Sequence, residues 1–369
     1  MSRSPDDPDG PAGHPFPRAL HWRLRTRTLA LPNRPLLMGI LNVTPDSFSD
    51  GGRFFDPAAA VDHALRLAAE GADLIDVGGE STRPYSRPVD AREEVRRVMP
   101  VLAALAERIA IPISIDTSKA AVAREAIAAG AEILNDVTAL TGDPAMIGLA
   151  AESGVGLSAM HMLGTPGIMQ DNPMYQDVVG EVLDFLRRRR DALTSAGIAR
   201  ERIALDPGIG FGKTTAHNLA LLSNAWRLHE LGCAVLVGHS RKRFLREVLE
   251  KGDGSRFPLV PKLRLGNASP EAPADGPLSA ESESANEAEL RGSPFRSESF
   301  GTRGSRKENG GKENEENGVG GRSSFPDLTA GTIGVALALA RQGVQVLRVH
   351  DVAPVRQALV LFEAAGGAL

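Results

Sequence analysis

Side chains that carry charge or form hydrogen bonds follow short apolar runs at eight places along this chain of 369 residues. These residues are Asn42, Thr44 and Asp46; Glu80, Ser81, Thr82 and Arg83; Asp116 and Thr117; Asn135 and Asp136; His161; Asp206; His239, Ser240, Arg241 and Lys242; and Arg348, His350 and Asp351. Buried carboxylates and amides pair with the donors and acceptors of a polar heterocycle, whereas cations, imidazoles and amides suit an oligophosphate with or without Mg²⁺. The residue types therefore indicate a site that binds a small polar molecule and stabilises the charge that the molecule carries.

Each of these residues also has a purely structural interpretation. Asp116, Asn135 and Asp206 each stand where a side chain commonly caps the following helix. The basic run Arg241–Arg243 could be the solvated start of a helix, but cations there oppose the helix dipole, which points to a compensating anion. Three such acceptors in one chain favour a binding site over three independent caps.

Three other chemistries fit the sequence poorly. His161 lies between two methionines with no HExxH spacing, so we interpret it as a hydrogen-bonded core histidine and assign no protein-bound zinc. The run PGIGFGKT resembles a phosphate loop, but Pro207 occupies the position that requires glycine, which leaves a Gly-rich turn. No G-x-S-x-G elbow is present, so a serine nucleophile is not indicated.

Composition narrows the class of protein further. Forty-two Lys and Arg against 46 Asp and Glu give a formal net charge of -4, which provides no overall cationic field for nucleic acid or an anionic membrane. The single cysteine, Cys233, excludes an intrachain disulfide and is expected to be a free buried thiol. Because no apolar stretch approaches a membrane span and the N-terminus lacks a signal-like apolar core, we expect a cytoplasmic protein.

The composition changes twice along the chain. Residues 1–17 are rich in Pro, Asp and Gly and predict a disordered tail. Residues 251–325 contain few branched or aromatic residues and predict a low-complexity insert. The remaining residues, 18–250 and 326–369, suit one domain that the insert interrupts.

Within that domain, one unit occurs eight times: a short apolar run, a polar turn and a stretch with helical spacing. The predicted strands are Leu36–Val43, Leu74–Gly78, Pro112–Asp116, Ile133–Asp136, Gly156–Met162, Ile203–Asp206, Ala234–Gly238 and Val344–His350. The predicted helices are Pro57–Glu70, Ala91–Arg108, Lys119–Ala129, Pro144–Ser153, Gln176–Ala196, His217–Leu231, Arg241–Glu250 with Leu328–Arg341, and Pro354–Ala365. Nearly continuous apolar strands that alternate with helices require a parallel sheet covered by those helices.

Eight units of this length predict an α/β fold of the (β/α)8 type, a TIM barrel. The alternative, a doubly wound sheet, normally has a Gly-rich phosphate turn after its first strand, where this chain has NVTPDSFSDGG. In a barrel the polar residues that end the strands gather at one mouth, where the active site forms. The segment RALHWRLRTRTLALPN alternates like a short hairpin and is expected to close the opposite mouth.

Eight motifs in order resemble one family closely, the dihydropteroate synthases. These motifs are MGILNVTPDSFSDGGRF, DVGGESTRP, SIDTSK, ILNDV, MHMLGTP, LDPGIGFGKT, VGHSRKRF and VLRVHDV. They extend from about Leu36 to the C-terminus apart from the insert. The resemblance implies a (β/α)8 barrel, a homodimer, and condensation of 4-aminobenzoate with 6-hydroxymethyl-dihydropterin diphosphate to give dihydropteroate and diphosphate.

Position by position, the resemblance also implies roles for individual side chains. The pterin ring would be bound by Asp116, Asn135, Asp206 and Lys242. The diphosphate would be bound by Asn42, Arg83, Arg348 and His350, with Mg²⁺ at Asn42. 4-Aminobenzoate would enter beside Thr82, Phe211 and Ser240. The residues expected to carry the reaction are Asp116, Asp206, Lys242 and Arg348.

Two other functions remain open at this point. A pterin-binding methyltransferase would keep the ring-binding Asp and Asn but would not need Arg83, Arg348 and His350. A non-catalytic pterin-binding paralogue would be expected to lose Lys242 or a loop motif, and this chain keeps both. The resemblance therefore favours the synthase, with small-molecule substrates and no nucleic-acid or membrane partner.

Overall fold

The structure is a computed structural model, and it describes residues 15–44, 56–82, 85–86, 88–165, 167, 169–250, 327–367 and 369. The first 14 residues of the expected tail and the whole of the expected insert lie outside these described residues.

Ten strands are described, and the last eight of them close into a parallel barrel. They are β1 (His21–Arg23), β2 (Thr28–Ala30), β3 (Leu36–Asn42), β4 (Leu74–Gly78), β5 (Ile113–Asp116), β6 (Ile133–Asp136), β7 (Gly156–Met160), β8 (Ile203–Asp206), β9 (Ala234–Gly238) and β10 (Val346–Val349). From β3 to β10 each strand pairs with the next in sequence, and β10 pairs with β3. The TIM barrel predicted from the repeated units is confirmed.

Helices lie between successive barrel strands. The α-helices in the described part of the chain are α1 (Pro57–Ala69), α2 (Ala91–Ala106), α3 (Ala120–Ala128), α4 (Met146–Ser153), α5 (Val178–Ser195), α6 (Thr215–Ser223), α7 (Arg243–Glu250), α8 (Thr329–Ala340) and α9 (Val352–Ala364). Asp side chains cap α1, α2 and α5 by accepting a backbone N–H of the first turn, from Asp56, Asp90 and Asp177. These capped starts agree with the sequence prediction to within two residues.

One predicted helix divides in two. The expected helix His217–Leu231 is α6 followed by a 3-10 helix over Ala225–Leu231. Thr214 starts α6 through a capping box with His217, three residues before the predicted start. Asn224, with φ −120° and ψ 22°, ends the α-helical geometry, because its side chain bonds back to the Ala220 carbonyl.

The barrel strands are buried on both faces, as their apolar sequences predict. Along β3, Leu37 and Leu41 belong to the apolar cluster shared with the helices, whereas Met38 belongs to a separate cluster inside the barrel. This alternation follows from the two-residue period of a strand. It also fixes which polar residues near the strand ends point inward.

The amino-terminal hairpin closes one mouth of the barrel. Strands β1 and β2 pair antiparallel, and Trp22 is fully buried in the interior cluster with Met38, Leu74 and Val346. The indole Nε1 of Trp22 donates to the carbonyl of Arg202 at 3.1 Å. The predicted plug is confirmed, and it leaves the carboxyl ends of the strands as the open mouth.

Candidate active site

The strand period directs five polar side chains of different strands into the same end of the barrel. They are Asp76, Asp116, Asn135, Asp206 and Arg348. Strand register places Asp116 opposite Asn135, while Asp76 lies one pleat deeper, opposite Ser114. The set therefore forms a buried polar layer immediately beneath the open mouth.

Arg348 is the centre of this layer. Its Nε donates to Asp76 Oδ2 at 2.6 Å, and its Nη2 donates to Asp116 Oδ2 at 2.8 Å. Asp76 is fully buried, and its Oδ2 also accepts from Asn135 Nδ2 at 3.0 Å. One guanidinium thus bridges two carboxylates from β4 and β5, and the amide of β6 completes the network.

This network contains two carboxylates and one guanidinium, and its excess of negative charge contributes to the pKa of Asp116. Burial raises the pKa of Asp116 to about 7, the Arg348 charge opposes the shift, and the Asp76 charge adds to it. Asp116 therefore exchanges its proton near neutral pH and can present either an acceptor oxygen or a hydroxyl donor.

Asp206 lies at the end of β8 and is held by the turn that follows. Its Oδ1 accepts the backbone N–H of Gly208 at 2.7 Å. Burial raises its pKa, while the charge of Lys242 and the Gly208 N–H oppose that shift. This carboxylate is oriented by its own chain and faces a cation across the mouth.

The Gly-rich turn after β8 lies flat against the segment after β7. Gly208 has a φ of +68°, and a Cβ there would lie 1.8 Å from the carbonyl oxygen of His161. Gly212 has a φ of +65°, and its Cβ would lie 2.6 Å from the carbonyl oxygen of Leu163. Both positions need glycine for the backbone conformation and for the close approach.

Lys242 reaches over this turn from the segment after β9. Its Nζ donates to the carbonyl of Ile209 and lies 4.2 Å from the centre of the Phe211 ring. Burial lowers the pKa of Lys242 to about 7, against the attraction of Asp206, which raises it. The ammonium, the aromatic ring and the Asp206 carboxylate therefore form one wall of the mouth.

A second wall joins the ends of β9 and β10. Ser240 Oγ accepts the backbone N–H of His350 at 3.2 Å, and the His350 Nδ1 lies at the same distance from it. Arg241 Nε donates to Asp351 Oδ2 at 2.9 Å. These contacts explain part of the basic run predicted to face an anion: Arg241 is paired with a carboxylate of the neighbouring strand end.

Lys119 anchors the segment that follows β4. Its Nζ donates to Glu80 Oε2 and to Glu94 Oε2, each at 2.6 Å. The other oxygen of Glu80 accepts the backbone N–H of Val89 at 2.8 Å. Both ends of the segment between Glu80 and Val89 are thereby tied to α2 and to the end of β5.

The predicted site residues fall into three groups in the structure. Those brought together around the barrel mouth are Asp116, Asn135, Asp206, Phe211, Lys242 and Arg348. The remaining described ones are Asn42 at the end of β3, Thr82 beyond β4, and the Ser240–His350 pair. Arg83 lies outside the described residues.

Sequence reasoning missed two features of the site. Asp76 precedes the strand end by two residues, so a search restricted to strand ends passes over it, although the two-residue period of the strand places it on the inner face. The second is Lys213, which the sequence shows only within a Gly-rich run that does not match a phosphate loop. It is 3% exposed, and its Nζ lies 2.9 Å from Nδ1 of His161, which is a buried, hydrogen-bonded histidine as predicted.

Two kinds of feature are absent from the residues that the structure describes. Among them, no three His, Cys, Asp or Glu side chains gather as a metal site. Within the same part of the chain, no helix has the length and apolarity needed to cross a membrane. Cys233 is buried, as predicted, and burial raises the pKa of its thiol to about 12.

Comparison with known proteins assigns this barrel to a family. Residues 38–268 match the pterin-binding enzymes, and the chain belongs to that family. The Escherichia coli K12 dihydropteroate synthase is 46% identical over 225 residues, which are 61% of this chain and 79% of that protein. The resemblance to the dihydropteroate synthases that the sequence motifs indicate is thus confirmed.

Solved structures agree with the sequence relatives. The Xanthomonas albilineans dihydropteroate synthase with 4-aminobenzoic acid has a TM-score of 0.69 and 38% identity, covering 95% of this chain and all of that one. The same enzyme in complex with 7,8-dihydropteroate has a TM-score of 0.66 and 36% identity, with 94% of this chain and all of that chain covered.

Proposed function

We propose that this protein condenses 4-aminobenzoate with 6-hydroxymethyl-7,8-dihydropterin diphosphate, giving 7,8-dihydropteroate and diphosphate. The observation that carries the proposal is the buried network of Arg348, Asp76, Asp116 and Asn135 at the barrel mouth. In a chain related to dihydropteroate synthases, this network supplies the paired acceptors and donors that a pterin ring requires.

We assign the pterin ring to Asp116, Asn135, Asp206 and Lys242. Ionised carboxylates accept the ring N–H and amino groups, and the amide of Asn135 both donates and accepts. The burial that raises the pKa of Asp116 and Asp206 also keeps water from competing for these bonds. The pocket therefore favours a flat heterocycle with several N–H groups.

We assign the diphosphate to Asn42, Arg83, Arg348 and His350. The guanidinium of Arg348 uses Nε and Nη2 for the two carboxylates, and its Nη1 amine remains for a phosphate oxygen. The side-chain amide of Asn42 offers Mg²⁺ a protein oxygen at the mouth, and such a cation takes its other ligands from phosphates and water. Mg²⁺ held there would offset the charge of the departing diphosphate.

The reaction needs no nucleophile from the protein. The bond between the pterin CH₂ and the diphosphate oxygen breaks with its electron pair leaving on the diphosphate, the amine nitrogen of 4-aminobenzoate forms the new bond, and that nitrogen then loses a proton to the solvent. Asp116 and Asp206 hold the electron-rich ring, which delocalises positive charge developing on the CH₂ carbon. Arg348 and His350 stabilise the leaving group, while Thr82, Phe211 and Ser240 line the approach of the amine.

A diphosphate-release assay tests this function. We expect diphosphate release that depends on 4-aminobenzoate and is matched by dihydropteroate formation. A pterin-binding paralogue without activity would bind the pterin and release nothing. A methyltransferase would form no dihydropteroate, and either result would overturn the proposal.

Two substitutions test the assigned pterin pocket. Asp206→Asn and Lys242→Ala are each expected to abolish measurable synthesis in a folded protein, because a buried polar partner is left without its counterpart. Asp184→Asn, an exposed carboxylate on α5, is the matched control and should retain activity. Unchanged pterin diphosphate affinity by calorimetry in either variant would remove that residue from the pocket.

The assembly and location of the protein belong to the same proposal. The family resemblance implies a homodimer in the cytoplasm, with small-molecule substrates and neither nucleic acid nor membrane as partner. Light scattering with cell fractionation is the corresponding measurement, and a monomer or a membrane-bound pool would contradict it.

A further inference from the structure

A buried lysine and histidine lie beneath the Gly-rich turn and have no role in the site described above. Lys213 Nζ lies 2.9 Å from His161 Nδ1, 2.9 Å from the carbonyl oxygen of Phe211 and 3.4 Å from the carbonyl oxygen of His161. Lys213 is 3% exposed and His161 is 6% exposed. A buried cation with three acceptors in place is a built contact, because an unpaired charge at this depth would be costly.

The acceptors around Lys213 suit its charged form. Burial lowers the pKa of Lys213 to about 7, against the attraction of Asp206, and in the ammonium form its three N–H donors match the three acceptors. In that form the bond to Nδ1 requires a lone pair there, so His161 is neutral and carries its proton on Nε2. Burial and the Lys213 charge lower the pKa of His161 to about 3, which agrees with a neutral ring.

The turn above this pair is fixed by side chains from several elements. The consecutive carbonyls of residues 209–212 accept, in order, from Lys242, Gln170, Lys213 and Tyr175. Two lysines thus hold alternate carbonyls, Lys242 that of Ile209 and Lys213 that of Phe211. Lys213 also connects the turn to the end of β7 through His161.

We propose that Lys213 is a positioning residue that, with His161 as its acceptor, clamps the turn of residues 208–212 and so fixes the Phe211 ring for 4-aminobenzoate. The inference rests on the proposed function, because Phe211 is assigned to the aminobenzoate side of the mouth. The clamp acts through Phe211, whose carbonyl Lys213 holds and whose ring packs against Lys242. Loss of the clamp should affect binding of the pterin ring less, because that ring is assigned to Asp116, Asn135 and Asp206.

A pair of substitutions at His161 tests the clamp. His161→Asn keeps an acceptor atom at the position of Nδ1, whereas His161→Leu removes it. We expect His161→Leu and Lys213→Met to raise the KM for 4-aminobenzoate roughly tenfold or more, the size expected for one charge-assisted hydrogen bond. The dissociation constant for the pterin alcohol should change less, and His161→Asn should stay within about threefold of the parent protein on both measures.

Two results would overturn the clamp. One is an equal effect of His161→Asn and His161→Leu on the KM for 4-aminobenzoate. The other is amide hydrogen exchange over residues 208–213 that is no faster in Lys213→Met than in the parent protein. The exchange measurement needs no turnover, so it decides the clamp even if the parent protein forms no dihydropteroate, a result that would instead defeat the proposed function.

Discussion

A single arginine bridging two buried carboxylates gives the site its electrostatic character. Arg348 balances one of the two charges of Asp76 and Asp116, and the pKa of Asp116 is raised chiefly by burial, to which the remaining negative charge adds. At the residue scale, both the pH dependence and the anion preference of the site should depend on this triplet.

The first prediction concerns the pH dependence of pterin binding. Because the pKa of Asp116 is raised to about 7 by burial, the carboxyl is protonated below that pH, where it loses its charge and one of its acceptor oxygens becomes a donor. Affinity for the pterin alcohol should therefore fall as the pH drops through 7, approaching about tenfold per pH unit. Calorimetric titrations across this range measure it.

The variant Asp116→Asn is the control for this titration. It cannot ionise, so its loss of affinity as the pH drops through 7 should be smaller than in the parent protein. Deprotonation of Lys242, whose pKa is also lowered to about 7, acts in the opposite direction, as the pH rises, and should remain. A loss on acidification as large as in the parent protein would assign the titration to another group.

The second prediction concerns Arg348. Arg348→Ala should weaken binding of both the pterin alcohol and the pterin diphosphate, because Asp76 and Asp116 lose their counter-ion. Affinity for the pterin diphosphate should fall roughly ten- to a hundredfold more than affinity for the alcohol, because only the diphosphate carries the charge that the Nη1 amino group would bind. Binding of both ligands with and without Mg²⁺ is the measurement, and Mg²⁺ should tighten only the diphosphate.

Arg348→Lys separates the two contributions. A lysine keeps the charge but cannot bridge two carboxylates with fixed geometry, so affinity for the alcohol should stay low. If the alanine variant weakens both ligands equally, Arg348 supports the pocket alone, and its assignment to the diphosphate is wrong.

At the element scale, the hairpin plug and the strand-end site lie at opposite mouths and should be separable by mutation. Trp22→Ala removes a fully buried indole and its bond to the Arg202 carbonyl, so the free energy of unfolding should fall by about 3–5 kcal/mol. Urea denaturation measures the loss. Turnover per folded molecule should be retained, because the apolar cluster around Trp22 includes none of the residues assigned to the site.

Leu20→Ala is the matched control on the same hairpin segment. Leu20 is 65% exposed, so its truncation should change the unfolding free energy by less than about 0.5 kcal/mol. A small effect of Trp22→Ala would contradict the role of the hairpin as a plug.

At the scale of the whole molecule, the segment between α7 and α8 is expected to be dispensable. The two flanking helices lie close together without the segment. Gly331 of α8 is so near to α7 that a Cβ on it would lie 3.7 Å from the Leu245 side chain. Loop-closure entropy grows slowly with length, so a long polar connection costs little and contributes little.

Replacing residues 252–324 by a short Gly/Ser linker should therefore leave kcat and KM within about twofold of the full chain. Steady-state kinetics on both proteins, after light scattering has matched their oligomeric states, provide the comparison. A folded deletion variant that has lost most of its activity would show that the segment contributes to the site or to assembly.

The sequence by itself determined the barrel, the order of its elements and most of the residues at its mouth. Apolar strands alternating with helices permit few architectures, and parallel strands bring their carboxyl ends to one edge. The sequence alone therefore places Asp116, Asn135, Asp206 and Arg348 together. Trp22 and its hairpin were likewise predictable from alternation. These features follow from local periodicity and from burial.

Only the tertiary structure decided which of these side chains contact one another. Asp76 pairs with Arg348 across 272 positions of sequence, and Lys213 meets His161 across 52, and neither spacing has a local signature. The same holds for the pKa of Asp116, which depends on burial and on charges from three strands. These long-range contacts arise when the barrel closes. The two-residue period of a strand predicts that a side chain points inward, but it does not predict which side chain it will contact.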